Sequence, residues 1–394
     1  MVSSTHRHLR RILLVRSIKK SRRRRVHRGP NRHRNRGHCL LELASLTDSQ
    51  YTRMFRLDRA AFCQLLIRVN EIAPVVDDRK AIASSGSSIS GEIRLAVTLR
   101  WLAGASYLDL CFGWGLSVSS FFSVLWSTME AIELAIPLSY PINDIARLQE
   151  IGDEAAAATH GAFSGFAGAI DGLVVRTRSP HKNECDNPAA YRNRKGCFGI
   201  LCLGVADMRG RFLSFSCKWS GSTHDSYAWS TSSLRMSIPN LPQGCYLIGD
   251  DAFANENRLV VPWAGRNLTP AQDSFNYYLS RCRQCIERAF GMLVRRWGVL
   301  WRRLSCNFTK WSLVVAVCAK LHNLCCERSI PLLPRLLQDF QPGDEELVIV
   351  NDEVLEGQPA HATGVTRRDI TSLLETQGIR RPPVPLPIPL PMVR

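Results

Sequence analysis

Two apolar stretches of this chain contain carboxylates where a buried strand normally has none. The first stretch, "FAGAIDGLVVRT" at residues 166–177, is interrupted by a single acid, Asp171. The second, "CYLIGDDAF" at residues 245–253, begins as a short strand and ends on the adjacent acids Asp250 and Asp251. Because removing an unpaired carboxylate from water is costly, these acids either cap a following element in solvent or bind a cation.

The segments around these stretches predict an α/β layer. Residues 197–219 form two apolar runs around the turn "ADMRGR", which is typical of a hairpin. Residues 223–236 have a helical pattern, and residues 277–301 place Ile286, Phe290, Leu293 and Trp297 on one face of a long helix. Three strands, a helix, a fourth strand and further helices therefore predict an α/β domain over residues 161–328.

The preceding region, residues 41–160, is predicted to be helical. Residues 57–72 carry an apolar face with Asp58 as a candidate cap. Residues 92–133 are typical of a helix, a short helix, a turn and a third helix that begins after Ser117, which is the outline of a helix-turn-helix. The third helix has no Lys or Arg between residues 118 and 132, although DNA-reading helices normally carry phosphate contacts. A plain helical domain packed on its neighbour is the alternative.

The basic charge of the chain is concentrated at its amino terminus. Residues 1–38 contain 14 of the 51 Lys and Arg residues and no acid, within a formal net charge of +17. We expect residues 1–40 to be a disordered basic arm that serves nuclear import or binds a polyanion, and we therefore predict a nuclear protein. Two alternatives are an upstream extension without a selected role and an Arg-rich transit peptide.

The carboxyl-terminal region and the cysteines are less informative. Residues 329–394 are predicted to be a tail that is first acidic and then rich in proline, with an extended, unstructured end. The 14 cysteines are scattered through a chain without a secretory signal, which favours reduced thiols over a disulfide framework. No apolar run reaches the roughly 20 residues of a membrane span, so we expect no membrane partner.

A third acid, Glu287, lies beside the core-facing stripe of the long helix, about 100° from Ile286. Neighbouring strands are about 4.8 Å apart, so Asp171 and Asp250 can converge on adjacent strands while the helix adds Glu287. Oxygen ligands suit Mg²⁺ or Mn²⁺, and a pair of such ions about 3.5–4 Å apart is the arrangement that cleaves phosphodiesters. Taken singly, each acid is more typical of a turn, a cap or a solvated helix face.

The segment "GSTHDS" contains Ser, His and Asp, but adjacent residues cannot point at one centre as a hydrolytic triad must. His224 and Asp225 are instead candidates for groups that support the ligands of a metal site. Asp251 should point away from Asp250 if the strand continues, so it is a further supporting candidate rather than a ligand.

Six motifs, in order, carry a resemblance to a known family. They are "AIDG" at 169, "YRNRKG" at 191, "GSTHDS" at 221, "GDDAF" at 249, "IERAFG" at 286 and "LHNL" at 321. Together with the helical segments at 55–66 and 95–110, they resemble the PIF/Harbinger transposases and the nucleases derived from them. The similarity covers residues 55–327.

The resemblance implies an RNase H-like nuclease core with a DDE triad, Asp171, Asp250 and Glu287, that binds two divalent ions. It also implies cleavage of DNA at transposon ends, joining of the 3′-hydroxyl to a target, and a separate Myb-like DNA-binding partner. We further expect a homo-oligomer. One departure is "GDDAF", where the family more often has Ser and Gly after the first Asp; Asp251 therefore adds charge beside the site.

Four basic residues are candidates for contacts to DNA phosphates: Arg192, Arg194, Lys195 and Arg283. The first three could equally form a solvated basic loop, and Arg283 could pair with Glu287 at the i, i+4 spacing. The sequence thus predicts a metal-dependent DNA endonuclease or transposase acting on double-stranded DNA. The alternatives are a catalytically silent DNA-binding or regulatory descendant of a transposase and, less consistent with the basic arm, a hydrolase of small phosphate esters.

Overall fold

A mixed sheet of five strands organises the computed structural model, which describes residues 36–74, 88–332 and 367–382. The strands are β1 (Phe166–Arg176), β2 (Gly199–Ala206), β3 (Phe212–Ser220), β4 (Tyr246–Ile248) and β5 (Leu259–Val260). Their spatial order is β3-β2-β1-β4-β5; β1, β2 and β3 are antiparallel, and β4 and β5 run parallel to β1. The first four strands and the hairpin are confirmed, whereas β5, with two residues, is too short for a sequence pattern.

The helices of the sheet region follow the strands closely. They are α8 (Asp225–Ser230), α9 (Ser233–Ser237), α10 (Pro270–Arg296) and α11 (Trp311–Glu327). The single helix predicted at residues 223–236 is wrong, because the chain forms two short helices and Ser232 caps the second one. Short 3₁₀ turns occur at Pro188–Tyr191, Ile238–Asn240, Gly298–Trp301 and Phe308–Lys310.

The long helix α10 lies directly on the sheet. It begins with a capping box between Thr269 and Gln272, with Pro270 at its first position. A Cβ atom at Gly204 on β2 would lie 2.9 Å from the ring of Phe290, so the glycine is what permits this close approach. The approach fixes the position of the helical turn before Phe290, which carries Glu287.

The amino-terminal region is helical, as predicted. Its helices are α1 (Arg36–Ser45), α2 (Asp48–Phe55), α3 (Arg59–Ile72), α4 (Gly91–Leu102), α5 (Tyr107–Gly113), α6 (Val118–Ala135) and α7 (Ile145–Ala158). The predicted caps are confirmed, since the side chains of Asp58 and Ser117 accept hydrogen bonds from Ala61 N and Ser120 N. Within the described residues, no single helix is long and apolar enough to cross a membrane; only α5 and α6 taken together, bent by 107°, reach that length and composition.

Helix α6, the would-be DNA-reading helix, is mostly a packing element. It contacts α3, α4, α5 and α11, and its residues Phe121, Leu125 and Met129 are fully buried. The helical region and the sheet region therefore share one hydrophobic core. Polar contacts join them too, including the bond from Lys320 Nζ to the carbonyl oxygen of Glu133.

The two terminal regions, predicted as a disordered arm and a tail, each contain a helix that we did not expect. At the amino end, α1 starts at Arg36, inside the stretch predicted to be disordered, and Arg36 and Cys39 are buried. At the carboxyl end, α12 (Arg367–Thr376) packs on α10 with Ile370 and Leu374 buried. The rest of the basic arm, the acidic stretch and the proline-rich end from residue 383 lie outside the described residues.

One cysteine pair departs from the expectation of reduced thiols. Cys202 on β2 and Cys217 on β3 are opposite each other in the strand register and form a disulfide. Within the described residues, no other cysteine pair forms a disulfide. The pairing was not predictable because a spacing of 15 residues across a hairpin has no sequence signature.

Candidate active site

Three elements bring the predicted acids together. Ala169 on β1 pairs with Ile248 on the parallel strand β4, and following both chains for two more residues places Asp171 beside Asp250. Helix α10 contacts β1 and β2 and adds Glu287 from the side. The predicted convergence of two strands and a crossing helix is therefore what the structure shows.

The side chain of Arg283 marks the point of convergence. Its Nη2 atom lies 3.4 Å from Glu287 Oε1, 3.9 Å from Asp250 Oδ2 and 4.0 Å from Asp171 Oδ2. The predicted pairing with Glu287 is thus present, but it is one of three. The guanidinium compensates a cluster of like charges that would otherwise repel one another.

Asp171 is the most deeply buried member of this cluster. It is only 1% exposed, its Oδ1 accepts a hydrogen bond from the backbone N of Gly172 at 2.8 Å, and its Oδ2 accepts none. Burial, and next the charge of Asp250, raise the pKa of Asp171 to about 7, although Arg283 opposes this shift. A buried carboxylate oxygen without a hydrogen bond is rare in folded proteins, and a catalytic or ion-binding role is one reason for it to occur.

The two adjacent acids of "GDDAF" lie in different environments. Asp250 is buried and its Oδ1 accepts a hydrogen bond from Ala252 N at 3.1 Å, whereas Asp251 is exposed in the following turn. Of these two neighbouring acids, Asp250 is the one that contacts Arg283. The geometry therefore places Asp250 in the cluster and Asp251 outside it. The cause is not the strand alternation that we expected, because β4 ends at Ile248 and Asp251 lies in the turn that follows.

His224 and Asp225 lie at the start of α8, next to β1. A Cβ atom at Gly172 would be 2.2 Å from Asp225 Oδ1, so the carboxylate of Asp225 rests on the residue that follows Asp171. Because neighbouring strand residues face opposite sides, Asp225 approaches β1 from the side away from the Asp171 side chain. It supports the strand rather than the cluster itself.

The candidate DNA contacts fall into two groups. Arg192, Arg194 and Lys195 are exposed on the loop before β2, and Arg194 Nη2 lies 2.8 Å from both ring nitrogens of His224. This loop therefore adjoins the start of α8, which lies on the face of β1 opposite the Asp171 side chain. Arg283 is different, because its side chain is only 14% exposed and faces the carboxylates.

The donors fit a divalent ion by chemistry, but they do not form a ready-made site. Among the residues that the structure describes, no three His, Cys, Asp or Glu side chains are placed so that they could hold a metal ion. Asp171, Asp250 and Glu287 offer only oxygens, the ligands that Mg²⁺ and Mn²⁺ prefer. The open Oδ2 of Asp171 fits such an ion, provided that Arg283 leaves the space between the acids.

Sequence reasoning missed two features of the site. One is Arg283 as the shared counter-ion of all three acids, which its i, i+4 spacing to Glu287 indicated only in part. The other is Gly172, whose missing side chain admits Asp225. No sequence signal identifies this contact, because it joins residues 53 positions apart in the chain.

The comparison with protein families bears on the region that contains the three acids. Residues 170–323, which include Asp171, Asp250 and Glu287, match the family described as DDE superfamily endonuclease. This part of the chain is therefore similar to DDE superfamily endonuclease domains, and the similarity implies an RNase H-like core. The predicted resemblance and fold class are confirmed.

Curated relatives extend this result. The chain is 27% identical over 243 residues to the protein named "Putative nuclease HARBI1" of Rattus norvegicus, covering 59% of this chain and 68% of the relative. It is 28% identical over 209 residues to the Homo sapiens protein of the same name, covering 52% of this chain and 58% of the relative. "Protein ALP1-like" of Arabidopsis thaliana is 26% identical to the chain over 262 residues, covering 61% of this chain and 62% of the relative.

The matches thus span roughly three fifths of the relatives' length, and they support a nuclease or transposase-derived function. No solved structure matches the chain significantly.

Proposed function

We propose that this protein is a divalent-metal-dependent endonuclease that cuts double-stranded DNA. The observation that carries the proposal is the convergence of Asp171, Asp250 and Glu287 on one point, with Asp171 Oδ2 buried and without a hydrogen bond. Mg²⁺ or Mn²⁺, bound as a pair, would activate the attacking water and stabilise the leaving oxygen of the phosphodiester. Strand transfer to a 3′-hydroxyl would be a second activity of the same site.

Each residue has a distinct part in this proposal. Asp171 on β1 and Asp250, two residues past the end of β4, would be the buried ligands, and Glu287, whose side chain is 40% exposed, would be the ligand nearest to solvent. Arg194 and its neighbours on the loop before β2 are exposed and would bind DNA phosphates away from the reacting bond. The basic arm would add sequence-independent attraction to DNA and nuclear import. A Myb-like partner and self-association belong to the same proposal.

A second function is favoured by one specific observation. Because Arg283 lies among the acids and no metal group is preformed in the described residues, a catalytically silent DNA-binding descendant of a transposase would have the same structure. Such a protein would bind DNA without cutting it.

The test is nicking of supercoiled plasmid by the purified full-length chain with Mg²⁺, with Mn²⁺ and with a chelator. We expect metal-dependent nicking, and a loss on the order of a thousandfold in Asp171→Asn, the upper end of the cost of removing one charge-stabilising group. Asp153→Asn, an exposed acid on α7, is the matched control. DNA binding without nicking would favour the silent descendant. Equal nicking by wild type and Asp171→Asn would show that the cleavage does not come from this site and would overturn the proposal.

A further inference from the structure

Arg283 makes three contacts with the acids, and none of them is tight. The distances from its Nη2, 3.4 to 4.0 Å, exceed the 2.7–2.9 Å of a charge-assisted hydrogen bond. Its Nε is buried and has no hydrogen-bond partner. The guanidinium is thus held by charge and not by directed bonds.

Other arginines of the same domain are bound differently. Arg178 donates two hydrogen bonds to Glu184, at 2.7 and 2.5 Å, and Arg235 donates two to Glu256, at 3.0 and 3.2 Å. Those pairs have the two-pronged geometry that makes an Arg–carboxylate contact specific. Since Arg283 lacks it, less is lost when this side chain moves away.

The charges leave little room for Arg283 and a metal ion together. Three ionised carboxylates and one guanidinium carry a net charge of −2, so the cluster still attracts cations. Two divalent ions added to it would leave a net charge of +2 in a mostly buried space, and one of the cations would be repelled. Arg283 is the cation that can leave, because its long side chain extends from the same face of α10 as Glu287.

We propose that Arg283 is a built-in counter-ion, which holds the three acids together before metal arrives and is displaced when a divalent ion binds. The inference rests on the metal-binding part of the proposed function and adds a competition within the site. Metal affinity is then set partly by a residue that is not a ligand.

The test is calorimetric titration of the full-length chain with Mn²⁺ in the absence of DNA. We expect Arg283→Met and Arg283→Gln to bind Mn²⁺ about ten- to a hundredfold more tightly than wild type, the range of a typical coupling between two binding events. Both variants should also have a lower Tm in chelator and a larger rise of Tm with Mn²⁺. Arg283→Lys retains the cation and should bind Mn²⁺ like wild type.

Arg288→Met is the matched control, since Arg288 is exposed on α10 one residue past Glu287 and bonds to the carbonyl of Met208. Equal or weaker Mn²⁺ binding in both neutral variants overturns the inference, and so does a gain that survives Asp171→Asn. Tighter binding without DNA nicking leaves the counter-ion role intact and removes the proposed endonuclease. DNA nicking by the wild type, combined with unchanged Mn²⁺ affinity in the two neutral variants, supports the endonuclease and overturns the counter-ion role.

Discussion

Two buried aspartates of this sheet, Asp171 and Asp207, differ in how completely their oxygens are used. Asp207 follows β2, is fully buried and accepts four hydrogen bonds: two from the backbone N atoms of Arg209 and Arg211, and two at 2.8 Å from the side chains of Arg211 and Arg147. Asp171, equally buried, accepts one and leaves Oδ2 without any.

The difference distinguishes an acid with a structural role, Asp207, from an acid that can bind a ligand, Asp171. A buried polar group with all its hydrogen bonds fixes the backbone around it, here the turn between β2 and β3. A buried carboxylate with a spare oxygen destabilises the fold unless a ligand uses it. The Asp171 cluster is therefore typical of a site in which stability has been given up for function.

The largest expected effect is the opposite response of the two acids to the same substitution. Asp207→Asn should lower the free energy of unfolding by about 3 kcal/mol, because it leaves Arg147 and Arg211 without their buried partner. Asp171→Asn should leave it unchanged or raise it by up to about 1 kcal/mol at pH 8 without metal, because repulsion with Asp250 is removed. Urea unfolding measures both.

If Asp171→Asn proves as destabilising as Asp207→Asn, the cluster is structural and the contrast between the two acids is wrong.

The next effect concerns acid stability at the Asp207 turn. His322 is fully buried with its Nε2 2.9 Å from the carbonyl oxygen of Gly210, and burial lowers the pKa of His322 to about 4. Between an unfolded pKa of about 6.5 and pH 4 the unfolded chain binds a proton that the folded chain does not. Stability should fall as the pH falls, by about 1.4 kcal/mol per unit and about 3 kcal/mol in total.

Asp171 opposes this trend, because its raised pKa makes the folded state the more protonated one between about pH 3.8 and 7. The contribution of Asp171 is present at low pH and is lost as the pH rises through about 7. Unfolding should therefore be measured in the Asp171→Asn background, with and without His322→Gln. An equal pH slope in both proteins would show that His322 is not the group responsible.

A smaller effect is expected in the dependence of the Mn²⁺ affinity on pH. An ion must displace any proton on Asp171, whose pKa is about 7. The affinity for Mn²⁺ should therefore rise about tenfold per pH unit between pH 5.5 and 7 and then level off. Titration calorimetry at four pH values measures this dependence. A flat profile would indicate that Asp171 is not a ligand.

The smallest effect separates the two acids of "GDDAF". Asp251 is exposed, so Asp251→Asn should change the free energy of unfolding by less than about 0.5 kcal/mol. It should leave Mn²⁺ affinity unchanged, whereas Asp250→Asn should weaken it strongly. The reverse pattern would assign the ligand to Asp251.

Much of the fold was predictable because its signals are local. β1 is the central strand of the sheet and is buried along nearly all its length, so its sequence is a continuous apolar run. The amphipathic pattern of α10 and the caps at Asp58 and Ser117 are likewise set by neighbours in the chain. Where such signals are weak, as in the two residues of β5, prediction failed.

The carboxyl-terminal helix α12 shows a different limit. Its pattern of Ile370, Leu373 and Leu374 is amphipathic, yet a short isolated helix is marginal in water. Packing decides that it forms: Trp263 Nε1 donates to Thr371 Oγ1 at 2.9 Å, and the guanidinium of Arg367 lies 3.9 Å from the centre of the Trp263 ring.

The sequence by itself determined which acids to consider, because a carboxylate inside an apolar strand is costly wherever the strand lies. It could not determine how those acids are balanced. That Asp171 keeps a free oxygen, that Asp207 has none, and that Arg283 faces three acids instead of one depend on distances between β1, β4 and α10. Only the packing of these elements sets such distances, because charge interactions vary with separation and burial rather than with position in the chain.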